Sequence, residues 1–162
     1  MPNSNTQNMN AITNGSANGS ATGLAVEINP AAAEILKKLQ QSPHWEQRYR
    51  YVLELAKGLP SGSVEHTQAF AVSGCEAPVW LKIEQTADNT LRFHADSSSR
   101  LIRGLLVILL APVQNQPAAY ILSFSFNDWL QCCGLQQQLT PSRSNGLFHI
   151  CQHAKAVAKT FI

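Results

Sequence analysis

Apolar positions along the chain change period twice. Up to about Lys57 they recur at helical spacing, from Phe70 to Asp96 they alternate, and beyond Ser99 helical spacing returns. Three helix starts share one signature. Asn29-Pro30, Ser42-Pro43 and Thr140-Pro141 each set a capping side chain before a proline, whose missing donor costs nothing in a first turn. The spacing predicts a first helix from Pro30 to Gln41 with Ile35, Leu36 and Leu39 inward. A second is predicted from Pro43 to Lys57, with Trp45, Tyr49, Val52, Leu53 and Ala56 as its core face.

Three alternating runs follow. Phe70 and Val72 form the first, Val79, Leu81 and Ile83 the second, and Leu91, Phe93 and Ala95 the third, which predicts a three-stranded antiparallel meander with one buried face. Trp80 lies on the opposite side, so either a covering layer or a docking surface is expected there. Asp96-Ser97-Ser98-Ser99 is read as the cap of a third helix reaching Ala111, apolar nearly all round and therefore central. A short helix is expected near Pro117, another carrying Phe126, Trp129, Leu130 and Cys133, and a last one from Pro141 with Leu147, Ile150, Cys151, Ala154 and Val157 inward. Segregated strands and helices predict an α+β fold, a small three-stranded antiparallel sheet with helices packed on one face.

Composition narrows the class. Residues 1–28 are expected to be a disordered polar tail and 29–162 a single domain, because no charged residue and few apolar ones occur before Glu27. Elsewhere 44% hydrophobic residues are enough for a core. A net charge of +2 from 12 basic and 10 acidic side chains argues against nucleic acid or an anionic membrane as partner. The longest apolar run, Leu105 to Val113, is too short to span a bilayer, and the opening residues lack the basic and apolar regions of a signal peptide. A cytoplasmic protein with four reduced cysteines is the expectation.

Those cysteines are not equivalent. Cys133 and Cys151 fall on apolar helix faces and read as small hydrophobes, and Cys132 lies beside its helix's apolar face. No Cys-x-x-Cys pair supports a metal or cluster site, so no cofactor or metal is expected. His149 and His153 stand one turn apart, two potential ligands without a third. Cys75 alone sits in a turn between strands, after Gly74, where backbone freedom and exposure suit a reactive thiol. Glu76 opposes a thiolate there, which leaves Arg100, Arg103, Arg143 or His66 to supply positive charge. Cys75 as nucleophile of a thiol enzyme, with His66 or His94 as base, is the alternative reading.

Several segments in order extend the picture: Trp45-Glu46 with Tyr49, Leu53-Glu54-Leu55, Leu59-Pro60, Gly74-Cys75, Val79-Trp80, Asp96-Ser97, Arg103-Gly104-Leu105, and Leu139 through Leu147. Together they resemble the SufE/CsdE family of sulfur-acceptor proteins over about Ser42 to Ala158. Cys75-Glu76 and the Asp96 to Leu106 segment look closer to CsdE, whereas Pro78 departs from the family pattern. The resemblance implies that Cys75 accepts persulfide sulfur from a cysteine desulfurase, a pyridoxal-phosphate enzyme of the SufS or CsdA kind. It implies an activator without its own catalytic cycle, passing sulfur to a cluster scaffold or other acceptor, and a monomer or weak dimer. Gly74, Glu76, Asp96 and Arg143 are expected to hold or dock the Cys75 loop.

Overall fold

A computed structural model of the protein describes residues 27–60, 62–135 and 139–162. The tail expected before residue 29 lies almost wholly outside the described residues. Helix α1 spans Pro30–Gln40, where the Asn29 side chain accepts from the Ala32 amide and Ile35, Leu36 and Leu39 face the core. Helix α2 spans Trp45–Ala56. Its predicted start is corrected: His44 stands at the N-cap without a side-chain bond, and Ser42 instead donates to the Lys38 carbonyl at the end of α1.

The predicted face of α2 is corrected as well. Val52 and Ala56 are buried, but Trp45 is 60% and Tyr49 46% exposed. The first turns look inward through Arg48, which donates to the carbonyls of Ser42 at 2.7 Å and Gly134 at 3.2 Å. Its guanidinium ties three chain segments together while the aromatic pair, edge to face at 6.4 Å, stays outside.

Strands β1, Val79–Gln85, and β2, Thr90–Ser97, pair antiparallel with Leu81 opposite Ala95 and Ile83 opposite Phe93. Helix α3, Arg100–Leu110, follows, capped by Ser99 and not by Asp96. A 3₁₀ turn covers Ala111–Val113, and then comes β3, Gln116–Pro117, the third strand, beside β2. The expected meander is thus corrected in its membership. Residues 70–72 meet β1 in a single bridge, Ala71 to Trp80, through two bonds: Val72 N–H to Val79 O and Leu81 N–H to Phe70 O. The amides of Phe70 and Ala71 are already spent on turns to Thr67 and Gln68, so the ladder cannot lengthen. On the other edge the Gln114 side-chain amide bonds both the N–H and the C=O of Phe93, extending the β2 edge where the backbone of β3 is only two residues long.

Helices α4, Ala118–Ser123, α5, Phe126–Cys132, and α6, Pro141–Lys159, complete the layer over the sheet. Leu91, Phe93 and Ala95 of β2 pack with Leu105, Leu106 and Leu109 of α3 in one core. The fold is α+β, a three-stranded antiparallel sheet with helices. Along α6 the buried stripe is Leu147, Ile150, Cys151, Ala154 and Ala158, the last replacing the expected Val157. Among the described residues no helix is long and apolar enough to cross a membrane.

Candidate functional site

Between α2 and β1 the described residues from Lys57 to Pro78 form no helix and no strand beyond the bridge at Ala71. The base of this stretch is tied down by a buried acid. Asp96, 4% exposed near the end of β2, accepts from its neighbour's amide, Ser97 N–H, at 2.8 Å and from Arg103 Nη1 at 3.1 Å. Its other oxygen meets His66 Nε2 at 2.7 Å. Arg103 also donates to the Leu59 carbonyl at 2.9 Å. The His66 imidazole lies flat on Trp80, 3.7 Å between centroids and 4° from parallel. The outward tryptophan is therefore covered by the loop's own histidine. Val64 is buried below.

The tip is built differently. Gly74 takes φ +88°, a left-handed conformation that other residues rarely adopt. A Cβ there would stand 2.5–2.8 Å from ring atoms of His149, so the imidazole of α6 rests directly against the glycine. Opposite, a Cβ on Gly146 would stand at contact distance, 3.7–3.8 Å, from Cys75. Each glycine thus faces the other element's side chain. Gly146 lies inside a helix, where a lone glycine signals close approach of another element, and Cys75 is the residue that packs over it. The Cys75 Sγ donates to the Gly146 carbonyl at 3.6 Å.

A cavity of about 280 Å³ opens beside the thiol, bordered by Val79, Ser99, Arg143 and Leu147. Half-buried there, Cys75 has its thiol pKa raised by desolvation, so the docked form is the neutral thiol. Glu76 does not crowd the sulfur with charge. Its carboxylate accepts from Ser142 Oγ at 2.8 Å in the first turn of α6, where the helix dipole favours an anion.

The residues singled out from sequence fall into two groups. Cys75, Gly74, Glu76 and Arg143 come together at the N-terminal turns of α6, Arg143 forming a wall shared with the adjoining groove of Trp45 and Tyr49. Asp96 stands at the base, bound to His66 and Arg103, which are thereby engaged away from the sulfur. His94 pairs with Glu84 on the outer sheet face at 3.1 Å. Neither histidine considered as a base is placed on Cys75. Ser142, Gly146 and His149 were not predicted to meet the loop. Gly146 alone carried a readable signal, as an isolated glycine within a helical pattern. Among the described residues no three potential ligands gather as a metal site.

The other cysteines contrast with Cys75. Burial pushes Cys151 up to about 12 and raises Cys133 further, and Cys132 is raised by partial burial and by Asp128. Cys133 and Cys151 behave as core side chains.

The solution structure of a hypothetical protein from Thermus thermophilus shares this fold, with a TM-score of 0.66 at 18% identity over 83% of this chain and 98% of that one. At that identity the likeness speaks for architecture alone. The sequence of residues 33–158 matches the SufE family, described as an Fe-S metabolism associated domain. With most of its length matched, and with a loop cysteine docked against a helix inside the matched residues, the chain belongs to the SufE family.

Proposed function

We propose that, within the iron–sulfur metabolism its family serves, this chain is a sulfur carrier that takes persulfide sulfur from a cysteine desulfurase onto Cys75. One observation carries the reading most directly: the cysteine turn is anchored at its base and held only lightly at its tip, beside a cavity large enough for one more sulfur. A fixed catalytic nucleophile would be expected to have a base beside it, whereas His66 and His94 are engaged with carboxylates elsewhere.

The transfer balances simply. The Cys75 thiolate attacks the outer sulfur of the desulfurase persulfide, a new S–S bond forms to Cys75, and the old S–S bond breaks. The bonding pair leaves on the desulfurase cysteine, and the proton that Cys75 gave up ends on that thiolate. One persulfide and one thiol become one thiol and one persulfide, with no external oxidant or reductant. The docked thiol is neutral, so attack requires ionisation outside this position, within reach of the partner's site. Emptying the desulfurase in this way raises its turnover, and the chain acts as accessory protein and not as enzyme. Arg143, which borders the cavity, offers positive charge to the added sulfur, which a downstream acceptor then removes.

The experiment mixes the reduced protein with a cysteine desulfurase, its pyridoxal phosphate and cysteine, and measures intact mass. One added sulfur is expected in the wild type and in Cys132→Ala, and none in Cys75→Ala. An adduct that survives Cys75→Ala overturns the assignment.

A further inference from the structure

His149 has no part in the transfer just described, yet it touches the segment that would have to move. Its ring lies against Gly74, close enough that a single methyl on the glycine would overlap it. The rest of the tip is weakly held. Ser73 and Gly74 form a single turn, and the segment is next tied at Pro78, whose carbonyl accepts from Ser97 Oγ at 2.7 Å. The sulfur's bond to Gly146 is long, and the Glu76–Ser142 bond is exposed to water. At the hinge itself the imidazole packs directly on Gly74. The ring is on the solvent side of α6, with Phe148 edge to face at 5.9 Å, so it closes the hinge from outside.

We infer that His149 is the catch of the Cys75 loop, a positioning residue that sets how often the thiol leaves its dock. Swinging Cys75 away from Gly146 changes the backbone at Gly74, and that change requires the imidazole to yield. Because the catch is exposed, a partner surface that draws the ring aside frees the hinge, which couples docking of a partner to presentation of sulfur chemistry. The inference deepens the carrier reading and rests on it for its biological meaning, while the catch itself is a property of the free protein.

The experiment uses the full chain and its own internal standard. Iodoacetamide is added to the reduced protein, and labelling of Cys75 and Cys132 is followed by peptide mass spectrometry. His149→Ala leaves the buried stripe of α6 intact and favours the helix. It is expected to raise the Cys75 labelling rate about ten-fold, to leave Cys132 unchanged, and to be reversed by His149→Phe, which restores a flat ring. An unchanged Cys75 rate in His149→Ala overturns the catch. So does a parallel rise at Cys132, which would mark general loosening, or a His149→Phe variant as fast as the alanine. Sulfur loading of wild type and His149→Ala by a desulfurase is measured alongside. A wild type that takes no sulfur sinks the carrier reading, while the labelling rates decide the catch independently.

Discussion

From Leu59 to Pro78 one stretch of chain is held in two different ways. At its base, a buried carboxylate binds an arginine and a histidine, the histidine stacks on an indole, and two backbone bonds join it to β1. At its tip, Ser97 Oγ holds the Pro78 carbonyl at 2.7 Å where the stretch rejoins β1, while Gly74 to Glu76 are held by a long thiol bond, an exposed hydroxyl–carboxylate bond and a ring laid on a glycine. Buried charges must keep their partners, because an unpaired one is costly, so the base has essentially one arrangement. The contacts of Gly74 to Glu76 are each worth about 1 kcal/mol, so a second arrangement lies close in free energy. Motion without cost to the fold is therefore confined to the residues between Val72 and Pro78.

This contrast fails first if the base is not dominant. Asp96→Ala leaves the Arg103 guanidinium in a mostly buried place without its acid and is expected to cost about 2–4 kcal/mol in urea denaturation. A loss below about 1 kcal/mol would mean that the network contributes no more than a surface pair. At the tip, Gly74→Ala forces a side chain into a left-handed backbone and into His149, yet the loop can undock and escape both. The expected stability loss is therefore only about 1 kcal/mol, with a faster reaction of Cys75 toward iodoacetamide and no change at Cys132. A large stability loss there would put the tip in the same class as the base.

Weaker effects probe the tip alone. The Cys75 pKa is raised by burial, so docking favours the protonated thiol. Its contribution is fully present below the ordinary thiol pKa of about 8.5 and is lost as pH rises through the raised value, because ionisation removes the donor to Gly146. Labelling of Cys75 against pH should accordingly show a midpoint above that of the same peptide unfolded in urea. A lower midpoint would reveal a cation that this arrangement does not place on the sulfur. The least change is expected from Ser142→Ala, which removes an exposed bond to Glu76 and should alter stability by less than about 0.5 kcal/mol. Thermal denaturation that moves by several degrees would contradict a lightly held tip.

What sequence made legible follows the range of the interactions. Asn29, Ser99 and Thr140 cap helices through bonds three residues away, and two of the three stood out beside prolines. The alternation in β1 and β2 was equally local. Cys75 stood out because the other thiols lie on or beside apolar helix faces. The misreadings share a cause in long-range partners. Helical spacing gave α2 an aromatic stripe, but which stripe turns inward was decided by carbonyls of Ser42 and Gly134 for Arg48. Alternation at Phe70 and Val72 was real, yet turn bonds had claimed the amides that a strand needs. Two residues, Gln116 and Pro117, are too few to show any period. Asp96 was read as a cap from its neighbours, whereas its partners sit 7 residues ahead and 30 behind.

The facing glycines bear on how portable this thiol is. His149 fits because the loop has no Cβ at Gly74, and Cys75 in turn packs over Gly146 of α6 at ordinary contact distance. Neither half keeps its shape when moved alone. A designer wishing to graft this cysteine onto another scaffold would have to carry the Gly74 turn together with the opening turns of α6 through His149, as one indivisible cassette drawn from two distant parts of the gene.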